Sequence, residues 1–460
     1  MNYNRQVLVF TITFSLFLLC YSFYSIFAKN DFLHLGKVNL LSAVLIEEKT
    51  EPVPEPALLD TAQANTGEVA SSSTTPERPV GVRNKNVYTL PHRLLHASAD
   101  TTRVGLPHFM GKLKELKKGK RRKLRIAWMG DSIIEADLLT QTFRKLMQQQ
   151  FGEYGVGFVS MKSISADNRT TVKAKSTGSW KEENLRSKTD VRVYLSGFSF
   201  YTNDGEVTMQ DATVADKSQV LVKTLICGNA GGHVNVRVNG VNRSVVAPKH
   251  FNHVVLDSSV EQRIMVGIES EQLPVYGVSF EPVEGVVLDN YSFRGITGIE
   301  LKKLDTACLR EIDEEQYYDL VILEYGVNVL WKADDKSYPY YRQQMKKVLP
   351  ILRKAMPHTE FLIISTADRA FMYDEAARTA LGIDSLIKTQ ADLAFENGMA
   401  FYNMYESMGG YGTIVKWADM EQPLARKDYI HPNHQGAERL GKMLYNDFMN
   451  DYSRFENQKH

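Results

Sequence analysis

Hydrophobic and polar positions divide the chain into stretches of different character. Val7 to Ala28 is a run of 22 residues without a charge. At a rise of about 1.5 Å per residue, a helix of that length crosses a hydrocarbon layer of roughly 30 Å. From Glu47 to Val80 the periodicity disappears. The segment EEKTEPVPEPALLDTAQANTGEVASSSTTPERPV has no aromatic residue and is rich in Pro, Glu, Ser and Thr, too little apolar surface to offset the ordering of its backbone. Periodicity returns at Leu106–Gly119, which predicts a short amphipathic helix. Leu124–Met129 reads as a strand, and Leu138, Leu139, Phe143 and Leu146 mark a helix after it. Leu320–Tyr325 is short and mostly apolar, the pattern of a strand buried on both faces. Helices are expected at Tyr340–Ala355, Ile383–Asn397 and Gln435–Met449, with a strand at Phe361–Ser365. The alternation predicts an α/β fold with a mainly parallel sheet between helices. Between about Lys173 and Pro282 the runs VRVYL, VLVKTLI, HVNVRV, HVVL, RIMVGI and VYGVSF are short, β-rich and separated by Gly, Asn, Asp and Ser. They predict an inserted antiparallel β-sandwich.

The expected organisation has four parts. Residues 1–29 form a cytoplasmic tip and membrane anchor, and 30–105 an extracytoplasmic tether, partly disordered. Residues 106–172 and 283–460 form the α/β domain, and 173–282 the β-rich insert. Arg5 and the amino terminus favour an inside start against the nearly neutral Lys29/Asp31 flank. A cleaved signal peptide is the competing reading, although Ile26-Phe27-Ala28 is a poor cleavage site. Either way, residues 30–460 lie across the membrane.

Composition narrows the classes. With 43% hydrophobic and 24% charged residues, global disorder, collagen and a multi-span membrane protein are excluded. The net charge of +1 argues against nucleic acid as a partner. Cys20, Cys227 and Cys308 are too few for a disulfide scaffold or a thiolate metal cage, and leave Cys227–Cys308 as the one internal pair. The basic run Lys117–Lys123 reads as a solvated helix end and turn, with contact to an anionic lipid or polymer as its alternative.

The strand at 124–129 ends in Gly130-Asp131-Ser132. That order places Ser132 on a strand-to-helix turn at the carboxyl edge of the sheet, where active residues gather in α/β folds. Its own amide can face developing negative charge. Near the other end, Asp428-Tyr429-Ile430-His431-Pro432 precedes a helix. The spacing lets one loop hold both a general base and the carboxylate that orients it. His431 is the candidate to remove the Ser132 proton, and Asp428 to fix the imidazole tautomer. His434 is the rival base, and no Cys or acidic cluster beside it completes a metal shell.

GDS at 130–132, the glycine of SFRG at 292–295, GVN within LEYGVNVL at 323–330 and DYIHPNHQG at 428–436 occur in the order of the SGNH/GDSL hydrolase blocks. The chain resembles that superfamily over roughly Leu106–Phe448. GDSIIEADLLTQTFRKLMQQQFGEYGVGF and FYNMYESMGGYG bring it closest to the peptidoglycan O-acetylesterase-like branch. The resemblance implies Ser132 as nucleophile, His431 as base and Asp428 as its partner. It also implies an oxyanion hole made by the amides of Ser132 and Gly295 and the side chain of Asn328. Two departures are visible: Ile133-Ile134 follows Ser132, where related sequences often carry a polar residue, and SFRG replaces an ending in Asn-Gly. Gly298 is therefore the fallback for Gly295. For the insert, the resemblance implies a jelly-roll or carbohydrate-module-like unit, with Phe198, Phe200 and Tyr201 as platform candidates.

The expected function is that of an extracytoplasmic serine esterase removing O-acetyl groups from an envelope polysaccharide, peptidoglycan foremost. Its partner is an acetylated glycan, with no cofactor and no metal. Acetyl transfer through the same serine and a non-catalytic wall-binding role are the alternatives. Asp368, Arg369 and Trp417 are further residues near the expected pocket, with capping, ion pairing or core packing as their plainer roles.

Overall fold

The computed structural model describes residues 87–152, 154–188 and 192–458. The expected anchor at 7–28 and most of the tether lie outside these residues. Among the described residues, no helix is long and apolar enough to cross a membrane.

Five parallel strands form the central sheet: β1 (Lys123–Gly130), β2 (Gly285–Ser292), β3 (Leu320–Glu324), β4 (Glu360–Ile364) and β5 (Ala400–Tyr402). Their order is β2-β1-β3-β4-β5, with Leu94–Leu95 added antiparallel to β5 at the far edge. The helices of eight residues or more are α1 (Pro107–Lys117), α2 (Thr140–Phe151), α3 (Thr306–Glu314), α4 (Pro339–Ala355), α5 (Ile383–Glu396) and α6 (His434–Asn457), with two shorter ones at Met404–Met408 and Thr413–Asp419. Alternate residues of a strand point to opposite faces, and here both sets are apolar. Ala127, Met129, Val321 and Leu323 share one core with Leu309, Met345, Leu349 and Leu386 of α3, α4 and α5. Ile126, Trp128, Leu320 and Ile322 share the other with Phe109, Phe143, Leu440 and Phe448 of α1, α2 and α6. The expected α/β class with a parallel sheet covered on both faces is what these strands and helices form. The strand order reverses between β1 and β3, and in such sheets a crevice opens there beyond the strand carboxyl ends.

The β-rich insert is two antiparallel sheets. One contains Val172–Thr177, Gly205–Asp211, Arg263–Ile268, His233–Val238 and Val241–Val246. The other contains Lys181–Asn184, Phe198–Tyr201, Val275–Glu281, Leu221–Cys227 and Asn252–Ser259. Gly157–Ser160 also pairs with Val275–Glu281, so pairing into this module starts ahead of the expected boundary at 173. Between the sheets lies a separate core that includes Val207, Leu225, Val236, Ile264 and Val278.

Several local expectations are corrected. In VRVYL the described residues 192–195 form no strand: Val193 makes only an isolated bridge to Leu304, because Val193, Tyr194 and Leu195 are buried in the α/β core instead. Phe200 is fully buried, and Phe198 stacks on Phe293 with ring centroids 4.6 Å apart. These two rings are packing and not a sugar platform. Tyr201 lies under Lys181. Cys227 and Cys308 are buried free thiols, not a bridge. The basic run is the expected solvated helix end and turn, with Lys117, Lys118, Lys120 and Arg122 exposed, and its last three residues pair as Arg121 with Asp319, Arg122 with Glu284, and Lys123 with Glu281.

Candidate active site

Ser132 stands two residues beyond the end of β1, at the sheet edge where the order reverses. The loop after it does not enter a helix at once. A short 3₁₀ turn at Glu135–Asp137 comes first, Ala136 and Asp137 both have positive φ, and α2 begins only at Thr140. A buried network holds this irregular loop. Asp137 accepts hydrogen bonds from both Arg144 guanidinium nitrogens at 2.7 Å and from Thr140 and Thr171. Burial would raise the Asp137 carboxyl, but Arg144 and Arg169 overcome that and hold it well below the usual carboxylate range. Without those partners the buried charge would be strongly destabilising.

The loop that precedes α6 faces Ser132. His431 Nε2 lies 2.8 Å from Ser132 Oγ, and His431 Nδ1 lies 2.8 Å from Asp428 Oδ2. The other carboxylate oxygen, Asp428 Oδ1, accepts from the amides of Ile430 and His431 at 2.9 and 3.0 Å. Burial works to raise this carboxyl, yet the His431 ring and the two amides outweigh it and bring it down to about 2. Tyr429, between the two, has φ +56°, a region that non-glycine residues seldom occupy. The conformation is enforced from both ends. Ala370 donates to the Tyr429 carbonyl at 3.0 Å, and the Tyr429 amide donates to Arg426 at 3.2 Å. Behind the loop, a Cβ on Gly436 would sit 1.9 Å from the Leu424 carbonyl oxygen, so the start of α6 closes on the loop only with glycine there. Exposed His434, the rival base, opens α6 one turn further on.

The other two blocks reach the same edge. The amide of Phe293 donates to the Gly130 carbonyl at 2.9 Å. Asn328, just beyond β3, donates through Nδ2 to Asp131 Oδ2 and to the Ile296 carbonyl, each at 3.1 Å. Gly295 is therefore bracketed by two residues tied to the β1 and β3 loops. It is solvent-exposed, with φ +74°. Gly298, its fallback, is buried against the Tyr325 ring and serves as the N-cap of the Ile299–Lys303 turn.

Reading the sequence missed Asp131. Its side chain is almost wholly buried, receives the Ile133 amide at 3.0 Å on one oxygen and binds Asn328 with the other. Burial pushes this carboxyl up to about 6, against those hydrogen bonds and the nearby His431. The signal was present in the middle letter of GDS, an acidic residue at a buried strand end. Beneath it, Glu324 is buried and bonded to Trp128 Nε1 at 2.8 Å. Burial and the Asp131 carboxylate push Glu324 up to about 8.

The remaining candidates have structural partners. Asp368 is fully buried, accepts from Thr379 and from the Ile414 amide, and caps the Thr413–Asp419 helix. Arg369 donates to the Val327 carbonyl at 2.5 Å. Trp417 is core, with Arg439 over its ring. Among the described residues no group of three or more His, Cys, Asp or Glu side chains is arranged to hold a metal ion.

No protein-family model matches the chain, and no curated protein matches it in sequence. Solved structures do. A peptidoglycan O-acetylesterase superposes over 79% of this chain and 99% of its own, with 19% identity and a TM-score of 0.65. An acetyl xylan esterase (16% identity, 35% of this chain, 80% of its own, TM-score 0.27) and a family two carbohydrate esterase from Cellvibrio japonicus (9%, 62%, 99%, TM-score 0.25) are far more distant. In fold, the chain is similar to the peptidoglycan O-acetylesterase over nearly the whole of that protein, and the four sequence blocks meet around Ser132 on this fold.

Proposed function

We propose that the protein is a serine esterase that removes O-acetyl groups from a cell-envelope polysaccharide, with peptidoglycan as the substrate, working outside the cytoplasmic membrane. The observation that carries the chemistry is the unbroken relay Ser132–His431–Asp428 at 2.8 Å per step. Ser132 Oγ attacks the acetyl carbonyl while His431 Nε2 takes its proton. Asp428, ionised at any pH above about 2, holds the imidazole tautomer and stabilises the imidazolium. The carbonyl electron pair moves onto oxygen, where the amides of Ser132 and Gly295 and the Asn328 side chain are the donors. Asn328 keeps its bond to Asp131 and exchanges the Ile296 carbonyl for the substrate oxygen. Collapse breaks the bond to the sugar oxygen, which takes the proton from His431 and leaves as the hydroxyl, and water repeats the cycle to release acetate.

The polysaccharide part of this reading has three supports. The fold is shared with a peptidoglycan O-acetylesterase over nearly all of that chain. Trp331, exposed and three residues beyond Asn328, offers an aromatic face on the same loop. The uncharged run at 7–28 and the tether composition support a reading in which the domain works beyond a membrane, and the two-sheet module, read as jelly-roll-like, would position glycan there.

Incubation of the full-length protein with a chromogenic acetyl ester and with O-acetylated wall polymer tests it. Acetate release is expected from the wild type, with a loss of at least about 10³-fold in Ser132→Ala. Equal release by the two proteins would refute the proposal, and label transferred to a sugar acceptor in place of water would make it a transferase.

A further inference from the structure

The oxyanion donor peptide is contacted from outside the α/β layers. Arg186, on the turn after Lys181–Asn184 in the antiparallel module, donates through Nη2 to the Arg294 carbonyl at 3.1 Å. The same Nη2 occupies the space of a side chain on Gly295, where a Cβ would lie 2.2 Å from it. The guanidinium also lies over the Phe293 ring, 5.8 Å from its centroid.

Its turn is fixed at several points. Leu185 is buried in the α/β core beside Phe293. Asn184 Oδ1 accepts from the Arg186 amide at 2.8 Å. Lys303 donates to the Ser187 carbonyl at 2.7 Å. The Arg294 side chain is held separately, by a bidentate bond to Glu135 in the loop after Ser132.

No peptide bond among the described residues is cis. In a trans peptide, the carbonyl and the following N–H point in opposite directions. A cation that pins the Arg294 carbonyl on the module side thereby turns the Gly295 N–H the other way. A charge-assisted bond to that carbonyl also polarises the peptide and strengthens its N–H as a donor.

We propose that Arg186, supplied by the antiparallel module, is a positioning residue that aims the Gly295 amide at the acyl oxygen. This rests on the esterase reading of the Ser132 site. It gives the insert a part in the chemical step, separate from any contact with glycan.

The test is steady-state kinetics of the full-length wild type, Arg186→Ala, Arg186→Lys and Ser132→Ala, on a small chromogenic acetyl ester and on acetylated polymer. Removing an oxyanion donor outright costs about 10²–10³ in kcat. Misaiming one is expected to lower kcat of Arg186→Ala by about 10- to 100-fold on both substrates, with KM unchanged. Arg186→Lys keeps one donor and is expected to fall between the two, which preserves the test if the alanine variant melts early. Millimolar guanidinium ion should restore part of the activity of Arg186→Ala and none of Ser132→Ala. Wild-type kcat on the small ester, or a loss confined to KM on the polymer, would overturn the proposal. Full activity in Ser132→Ala would instead remove the site reading, and this inference with it.

Discussion

At the scale of single residues, the dyad loop concentrates its chemistry in four positions. Tyr429 holds a positive φ that costs on the order of 1–3 kcal/mol, and the bonds from Ala370 and to Arg426 maintain it. The reward is a carboxylate and an imidazole three residues apart that face each other. Asp428→Asn should leave the fold intact but present a donor where His431 needs an acceptor. A fall of about 10²–10⁴ in kcat is expected, and activity within tenfold of wild type would show that the carboxylate is dispensable. The serine, histidine and aspartate were legible because their identities and spacing restrict the chemistry. Asp131 and Arg186 were not. The first is visible only as the acidic letter of GDS, whose burial a sequence does not state, and the second acts through a contact between segments over a hundred residues apart, which leaves no local pattern.

At the scale of elements, most of the helices and parallel strands that were expected lie within a few residues of their bounds, since their periodicity and their burial agree, but α6 runs eight residues beyond Met449 and β2, β5 and α3 were not read at all. Exceptions have physical causes. The loop after Ser132 looked helical because Leu138 and Leu139 are apolar, but Asp137 is drawn inward by Arg144 and the helix starts late. The strand Gly205–Asp211 alternates cleanly, yet its buried positions include only Val207 and Met209 as large apolar side chains, too few to stand out. β3 also carries a titration that sequence could not announce. Glu324 rises from the ordinary glutamate value to about 8 in the folded state, so the native protein binds the extra proton between about pH 4.5 and 8. Stability therefore falls as pH rises across that window. In Glu324→Gln the fall in Tm should be shallower than in wild type, while Trp128 keeps an acceptor. Parallel Tm curves for the two proteins would show that Glu324 is not the proton carrier.

At the scale of the molecule, the antiparallel module is not a bead beside the α/β domain. Phe158, Leu185, Tyr194, Phe251 and Tyr276 belong to the same apolar cluster as Met129, Leu309 and Leu323. Polar ties cross as well. Tyr194, Tyr291 and Tyr318 form a hydroxyl chain that ends on Asp289, and Glu281 binds Lys123 and Arg125 of β1. Interfaces of this kind couple unfolding. Calorimetry should show one transition for the module and the α/β domain, and two resolved peaks would contradict that coupling.

The strand that leads back to the sheet has one more effect. Val286 donates to the Gly152 carbonyl at 3.3 Å, and Gly285 to the Arg122 carbonyl at 2.7 Å, so the points where the module departs and returns are next-door neighbours. Host sequence on either side would meet across a short link if the whole excursion were spliced away, and closing so small a gap costs little chain entropy. Such a gain or loss in ancestry would spare every strand of the parallel sheet while deciding whether a guanidinium stands behind the donor peptide.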